Sequence, residues 1–319
     1  MAATSRLASA LAEGLTLPEG PVCVVRPPLD YDLSPLAGPV TVATGVRPDH
    51  DGWAARGVTV AVEPVTAPTT IVVLPRSKAL ARDLIARAAA ASELVIVDGQ
   101  KTDGADALWK ECRRRLGDIP AVTKAHGRLF WFGGTEAFAD WRATPRVVDG
   151  FTIAPGVFSD DGPDRGSVLL AGALPALTGR VADLGAGWGY LSRGILASEA
   201  VTELHLVEAE AAALECARLK VTGSRARFHW ADALRWQAED RLDAVVMNPP
   251  FHTGRAGDPS LGRSFIEAAA RLLSPSGQLW MVANRHLPYE STLRERFRTV
   301  TEATGTGGFK IFHAARPIR

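Results

Sequence analysis

The chain has few cysteines, little excess charge and no long apolar run. Its three cysteines, Cys23, Cys112 and Cys216, are scattered. We therefore expect neither a disulfide framework nor a zinc site, and we predict no metal. A net charge of +1 excludes a global basic field that would attract nucleic acid, although a local patch suffices for binding. Because no run reaches membrane-spanning length and no signal-peptide core is visible, we expect a cytoplasmic protein with no membrane partner.

The remaining composition is that of a globular chain. With 319 residues, 46% of them hydrophobic and 22% charged, two domains of ordinary size are expected. Strand and helix patterns alternate, which predicts an α/β fold. In the first half, strands are predicted at 21–25, 40–44, 58–62, 70–74 and 94–98, helices at 78–91 and 105–116, and a hairpin around Gly127 from 122–126 and 129–132. A linker is predicted near Trp141 to Asp149, which gives domains 1–145 and 146–319.

A glycine-rich turn follows the strand-like run that ends in Asp183-Leu184. Its spacing places Gly185, Gly187 and Gly189 between a strand and a helix, where glycines allow a tight turn and close approach to a ligand. The turn alone also fits an ordinary strand-to-helix connection. Acids follow the next two strand-like runs, Glu208 and then Asp232, where such side chains commonly bind ribose hydroxyls and an adenine amine.

A second motif, Asn248-Pro249-Pro250-Phe251, ends a later apolar run. The Asn248 amide oxygen and the Pro249 carbonyl can accept both hydrogens of a planar NH2 group, and the prolines fix the backbone that carries them. This is catalysis by positioning. Phe251 offers a flat face on which an extruded base can stack. Taken alone, the four residues also fit a proline turn with Phe251 in the core.

A glycine turn followed by a strand-terminal Asn-Pro-Pro-aromatic is the pairing used by amino-methyltransferases that depend on S-adenosylmethionine (SAM). The acceptor class stays open at this level, because a guanine amine, adenine N6 and a protein glutamine amide all present a planar NH2 group. A non-catalytic RNA-binding assembly factor with a vestigial SAM site is a further alternative. Intact Asp183, Glu208 and Asn248 disfavour it.

The whole chain resembles the bacterial rRNA guanine-N2 methyltransferases of the RsmC and RlmG type. The resemblance is specific over 151–319 and looser over 1–150. The matching segments are Phe151-Thr152-Ile153-Ala154-Pro155-Gly156-Val157-Phe158-Ser159, Asp164-Arg165-Gly166-Ser167, Asn248-Pro249-Pro250-Phe251-His252, Val282-Ala283-Asn284-Arg285-His286-Leu287-Pro288-Tyr289 and Gly308-Phe309-Lys310-Ile311.

The resemblance implies two tandem Rossmann-like methyltransferase domains, with the first degenerate and concerned with RNA recognition, and the second catalytic. It implies methylation of a guanine N2 amine in rRNA, most often 16S rRNA, by a monomer that acts on RNA or a ribosomal subunit. Phe158 and His252 are then expected near the substrate, although His252 equally suits a structural role. The basic run Arg113, Arg114 and Arg115 is a candidate for phosphate contacts or an ordinary solvated helix end.

Overall fold

The computed structural model describes residues 5–250 and 259–318, which fall into two compact units. Unit 1 comprises Met1–Pro145 and unit 2 comprises Arg146–Arg319. Each unit contains a seven-stranded sheet with helices. The predicted fold class, α/β with two Rossmann-like domains in tandem, is confirmed. Within the two described ranges, no helix is both long and apolar enough to span a bilayer.

Unit 1 is built on a mixed sheet. Its strands are β1 (Val22–Val25), β2 (Val40–Ala43), β3 (Thr59–Ala61), β4 (Thr69–Val73), β5 (Leu94–Gln100), β6 (Ala121–Lys124) and β7 (Gly127–Gly133). Its helices are α1 (Arg6–Ala12), α2 (Arg47–Ala55), α3 (Lys78–Ala91) and α4 (Ala105–Leu116). The strand order is β3-β2-β1-β4-β5-β7-β6. β7 is antiparallel to both of its neighbours, and the other pairs are parallel.

Unit 2 opens with a two-stranded hairpin of β8 (Arg146–Val148) and β9 (Phe151–Ile153). The main strands are β10 (Gly179–Leu184), β11 (Val201–Glu208), β12 (Ala226–Trp230), β13 (Leu242–Met247), β14 (Leu273–Asn284), β15 (Phe297–Gly305) and β16 (Phe309–Pro317). The helices are α5 (Arg165–Ala173), α6 (Tyr190–Leu196), α7 (Ala211–Lys220), α8 (Pro259–Leu272) and α9 (Glu290–Arg296). The strand order is β12-β11-β10-β13-β14-β16-β15.

The central strands explain why the sequence folds this way. All four residues of β1 are buried, as are the last four of β13, because a parallel strand covered on both faces needs apolar side chains throughout. The carboxyl ends of parallel strands meet at one edge of a sheet. Ligand-binding residues in α/β folds therefore concentrate at that edge.

The two sheets have the same order, so β1 and β4 correspond to β10 and β13. Their ends carry different chemistry. Gly185-Ala186-Gly187 follows β10, whereas Arg26-Pro27-Pro28 follows β1. Asn248-Pro249-Pro250 follows β13, whereas Leu74-Pro75-Arg76 follows β4. Proline lacks an N–H donor and leucine has no polar side chain, so the unit 1 strand ends have neither the glycine turn nor the amide acceptor.

The hairpin after α4 forms as predicted, but the predicted position of its turn is wrong. The hairpin turns at Ala125 and His126, which adopt φ of 49° and 55°, and Gly127 begins β7. A Cβ at Gly127 would lie 2.7 Å from the Gly99 carbonyl oxygen, so this glycine serves close packing. The boundary between the two units, after Pro145, falls within the predicted linker. Part of that segment is structured, because Trp141 is buried and Arg146–Val148 pairs with β9.

Candidate active site

The glycine turn of unit 2 has the geometry that its sequence predicts. Gly185, Gly187 and Gly189 have φ values of 75°, 55° and 88°, a region that residues with a Cβ rarely adopt. A Cβ at Gly187 would meet nothing within 4 Å. At Gly189 it would lie 2.8 Å from Val221 Cγ2. Gly187 therefore leaves open space above the turn, while Gly189 allows the start of α6 to pack against α7.

Glu208 holds this turn in place. Its Oε2 accepts a hydrogen bond from the Gly187 N–H at 2.8 Å, and its Oε1 accepts one from the Glu210 N–H at 2.8 Å. Burial raises the pKa of the Glu208 carboxyl, against the lowering effect of these N–H groups. The sequence reasoning assigned Glu208 to ribose hydroxyls and missed this anchoring role. A carboxylate has about four acceptor positions, so lone pairs remain for a ligand.

Asp183 lies beneath the turn and is fully buried. Its Oδ2 accepts a hydrogen bond from Ser192 Oγ at 2.7 Å, and its Oδ1 has no hydrogen-bond partner among the described residues. Burial, opposed by the Ser192 hydrogen bond and reinforced by the charge of Glu208, raises the pKa of Asp183 to about 7. No ion pair to Asp183 or Glu208 forms within residues 5–250 and 259–318. A fully buried acid and a half-buried acid without a counter-ion suit a cationic ligand.

Asn248 is fixed by two side chains from the start of α5. Its Nδ2 donates hydrogen bonds to Asp164 Oδ2 at 2.8 Å and to Ser167 Oγ at 2.9 Å. Pro249 is buried behind it, and Pro250 is exposed. Since both Nδ2 hydrogens are engaged, the Asn248 side chain can offer a further partner only its Oδ1.

One pocket brings the turn and Asn248 together. It is lined by Phe158, Ser159, Asp164, Ser167, Gly185, Ala186, Gly187, Trp188, Tyr190, Leu191 and Asn248. Phe158 is 60% exposed at this pocket, and its carbonyl oxygen accepts a hydrogen bond from Trp188 Nε1 at 3.0 Å. The ring is therefore exposed while a hydrogen bond holds the backbone of Phe158 in place. An exposed aromatic ring of this kind suits stacking against a base.

Asp232 has a local structural role. Its Oδ1 accepts a hydrogen bond from the Leu234 N–H at 2.9 Å, which closes the turn after β12. It does not line the pocket. The predicted contact with adenine stays a prediction. Phe251 and His252 lie outside the described residues.

The basic run belongs to α4 in unit 1, whereas the pocket belongs to unit 2. Arg115 donates to Asp140 Oδ2 at 2.8 Å and to the Ala137 carbonyl at 2.8 Å. Arg113 pairs with Asp118 at 2.8 Å and lies over the Trp109 ring. Arg114 is exposed and makes no ion pair in the part of the chain that the structure describes. Of the three, Arg114 is the side chain best placed for a phosphate.

Comparisons with known proteins agree with this geometry. The family model described as Methyltransferase small domain matches residues 150–313. Ribosomal RNA small subunit methyltransferase C of Shewanella sp. (strain MR-4) is 30% identical over 260 residues, 76% of each chain. Its counterpart in Shewanella loihica is 31% identical over 264 residues, 77% of each chain.

A solved structure supports the fold over almost the whole chain. The T. thermophilus 16S rRNA N2 G1207 methyltransferase (RsmC), determined in complex with AdoMet and guanosine, is 24% identical with a TM-score of 0.77. The alignment covers 96% of this chain and 91% of that one.

The glycine turn generates a stability prediction. Gly189→Ala should lower the free energy of unfolding by about 2–4 kcal/mol, since left-handed strain adds to overpacking against Val221. Gly187→Ala, the matched control, should cost only the strain of about 1–2 kcal/mol. Urea denaturation of both variants measures the difference, and equal losses would show that packing behind Gly189 is unimportant.

Proposed function

Since the chain belongs to the Methyltransferase small domain family, we propose that it transfers a methyl group from SAM to the exocyclic N2 amine of a guanine in rRNA. The relatives named small subunit methyltransferase C favour 16S rRNA as the substrate. The observation that carries the proposal is the pocket whose lining includes both the glycine turn and Asn248. This supports the proposal because the glycine turn, proposed to bind the cofactor, and Asn248, proposed to accept from an NH2 group, line the same pocket.

The residues present fit the cofactor. SAM would supply a methyl group on a cationic sulfonium, which leaves as a neutral thioether when the amine nitrogen takes the methyl group, and the methylated amine then loses one proton to solvent. The open space above Gly187 admits a ligand close to the backbone. The buried Asp183 and the half-buried Glu208 supply negative charge that no described cation neutralises. Ribose binding by Glu208 and adenine binding by Asp232 remain parts of this proposal.

Asn248 and Pro249 act on the acceptor amine. The amine of guanine is a poor nucleophile because its lone pair is delocalised into the ring. Asn248 Oδ1 and the Pro249 carbonyl oxygen accept hydrogen bonds from the two N–H groups of the amine. These hydrogen bonds draw the nitrogen toward tetrahedral geometry and direct its lone pair at the methyl group. A base in a duplex must leave the stack to reach such a pocket. Phe158 offers it a stacking surface.

Unit 1 has a different task in this proposal. Its strand ends lack the glycine turn and the Asn-Pro-Pro segment, so it binds no SAM and extends the RNA-contacting surface. The partner is rRNA or a ribosomal subunit, met in the cytoplasm by a monomer. With a net charge of +1, affinity for RNA depends on individual Lys and Arg side chains.

Asn248→Ala should abolish methyl transfer while changing the SAM dissociation constant by no more than about threefold, because Asn248 acts on the acceptor. Glu208→Ala should instead weaken SAM binding by about 1–3 kcal/mol through lost hydrogen bonds to the turn and ligand. Calorimetry for SAM and transfer of labelled methyl to deproteinised 16S rRNA measure both effects.

Three outcomes contradict this assignment. If the labelled methyl group is found on adenine or on a protein glutamine, the acceptor is that group and not guanine. Undetectable SAM binding by the unmodified chain would favour the assembly-factor alternative. Near-normal turnover by Asn248→Ala would remove that residue from the chemistry.

SAM affinity should depend on pH through Asp183. With its pKa raised to about 7, this carboxyl binds a proton below that pH in the free protein, whereas a cationic ligand favours the ionised form. Binding therefore releases a proton, and affinity should rise about 3- to 10-fold from pH 6 to pH 7.5. Calorimetry in buffers of different ionisation enthalpy measures the proton. The Asp183→Asn variant should bind SAM more weakly and with a smaller pH dependence. An unchanged pH dependence in this variant would show that another group takes up the proton.

Arg114→Glu should raise the KM for rRNA about 5- to 30-fold and reduce the salt dependence of binding, because one phosphate contact is lost. Arg113→Glu, the same charge change on the same helix, should have a smaller effect since Arg113 is already paired with Asp118. Both variants should keep the SAM dissociation constant. Equal KM values for Arg114→Glu and the unmodified chain would remove this helix from the RNA surface.

A further inference from the structure

The contacts of Asn248 point to a function for the first turn of α5. Asp164 Oδ2 accepts from Asn248 Nδ2 at 2.8 Å, and Ser167 Oγ accepts from the same nitrogen at 2.9 Å. We propose that Asp164 and Ser167 are positioning residues, which orient the Asn248 amide so that its Oδ1, and not its NH2, meets the acceptor amine. This inference rests on the proposed function for its catalytic consequence.

An asparagine needs such help because its amide is nearly symmetric in shape. The terminal torsion is broad and roughly two-fold, so a free Asn248 presents oxygen or nitrogen with similar ease. Only the amide oxygen can accept a hydrogen bond from the NH2 group of the base. In the flipped orientation, the NH2 of Asn248 would face the NH2 of the base, and two donors cannot form a hydrogen bond. A carboxylate and a hydroxyl oxygen at the Nδ2 side make the productive orientation the stable one.

The two positioning residues are themselves held firmly. Asp164 is the N-cap of α5, and the same Oδ2 accepts the Ser167 N–H at 2.9 Å. Ser167 is buried. A Cβ on Gly166 would lie 2.9 Å from Asp164 Oδ2, so the glycine between them leaves room for the carboxylate. The run Asp164-Arg165-Gly166-Ser167 thus serves a residue 84 positions away in sequence.

Two variants separate positioning from helix capping. Asp164→Ser keeps a good N-cap but has a side chain too short to reach Asn248. Ser167→Ala removes the second acceptor and leaves the cap intact. Ser77→Ala, which removes the cap of α3 in unit 1, is the matched control for loss of a cap.

We expect kcat for guanine methylation to fall about 10- to 100-fold in Asp164→Ser and about 3- to 10-fold in Ser167→Ala, as for loss of a charged and a neutral hydrogen bond. The SAM dissociation constant should stay within about threefold, and Ser77→Ala should retain full kcat. If Asp164→Ser turns over at the unmodified rate while Asn248→Ala does not, the inference is overturned and the proposed function stands.

A spectroscopic measurement tests the orientation without any turnover. Asn248 and Asn284 are the two asparagines of the chain, so selective labelling with [15N]asparagine gives two side-chain NH2 signals, assigned by Asn284→Gln. The Asn248 hydrogens should exchange with solvent at least about tenfold faster in Asp164→Ser than in the unmodified protein. Unchanged exchange and shifts would overturn the inference. Inactivity of the unmodified chain on guanine, with slow exchange present, would overturn the proposed function alone.

Discussion

The hydrogen bond that Glu208 accepts from the Gly187 N–H, in the turn after β10, is the constraint on which the rest of the site depends. Parallel pairing of Leu184 with Val207 brings the end of β11 beside this turn, and the carboxylate then fixes the Gly187 and Glu210 N–H groups. The open face of Gly187, the start of α6 at Tyr190 and the lining of the pocket follow from that fixed backbone. A charged acceptor makes these bonds stronger than neutral ones.

The same arrangement carries a cost. Burial raises the pKa of both Asp183 and Glu208, and the two lie close enough for the charge of Glu208 to raise the pKa of Asp183 further. Buried acids without a cation oppose folding, and a ligand that carries positive charge relieves them. The hydrogen bond from Ser192 Oγ offsets part of the cost of burying the Asp183 carboxyl. The site is thus poised for its ligand at the expense of the free protein.

The sequence predicted the elements whose signals are local. Helices 78–91 and 105–116 have the predicted bounds. Ser77 caps the start of the first helix, and Gly104 and Gly117 flank the second. The turn at Ala125–His126 escaped prediction since two non-glycine residues adopt positive φ there, and Gly127 was needed for packing. The partner of Arg115, Asp140, lies 25 residues away in sequence and is set by tertiary structure. The contact of Asp164 with Asn248 spans 84 residues, which no local pattern encodes.

Both units have the same strand order, yet Pro27-Pro28 and Leu74-Pro75 stand in unit 1 where unit 2 has its glycine turn and its asparagine. Core strands constrain a sequence through packing, whereas strand ends constrain it only when they hold a ligand. If unit 2 alone carries the chemistry, as proposed, substitutions at the strand ends of unit 1 escape selection for turnover. Under that proposal, unit 1 can diverge in sequence while it retains its strand order, and its surface is the part of the chain in which new binding specificities can arise at no cost to catalysis.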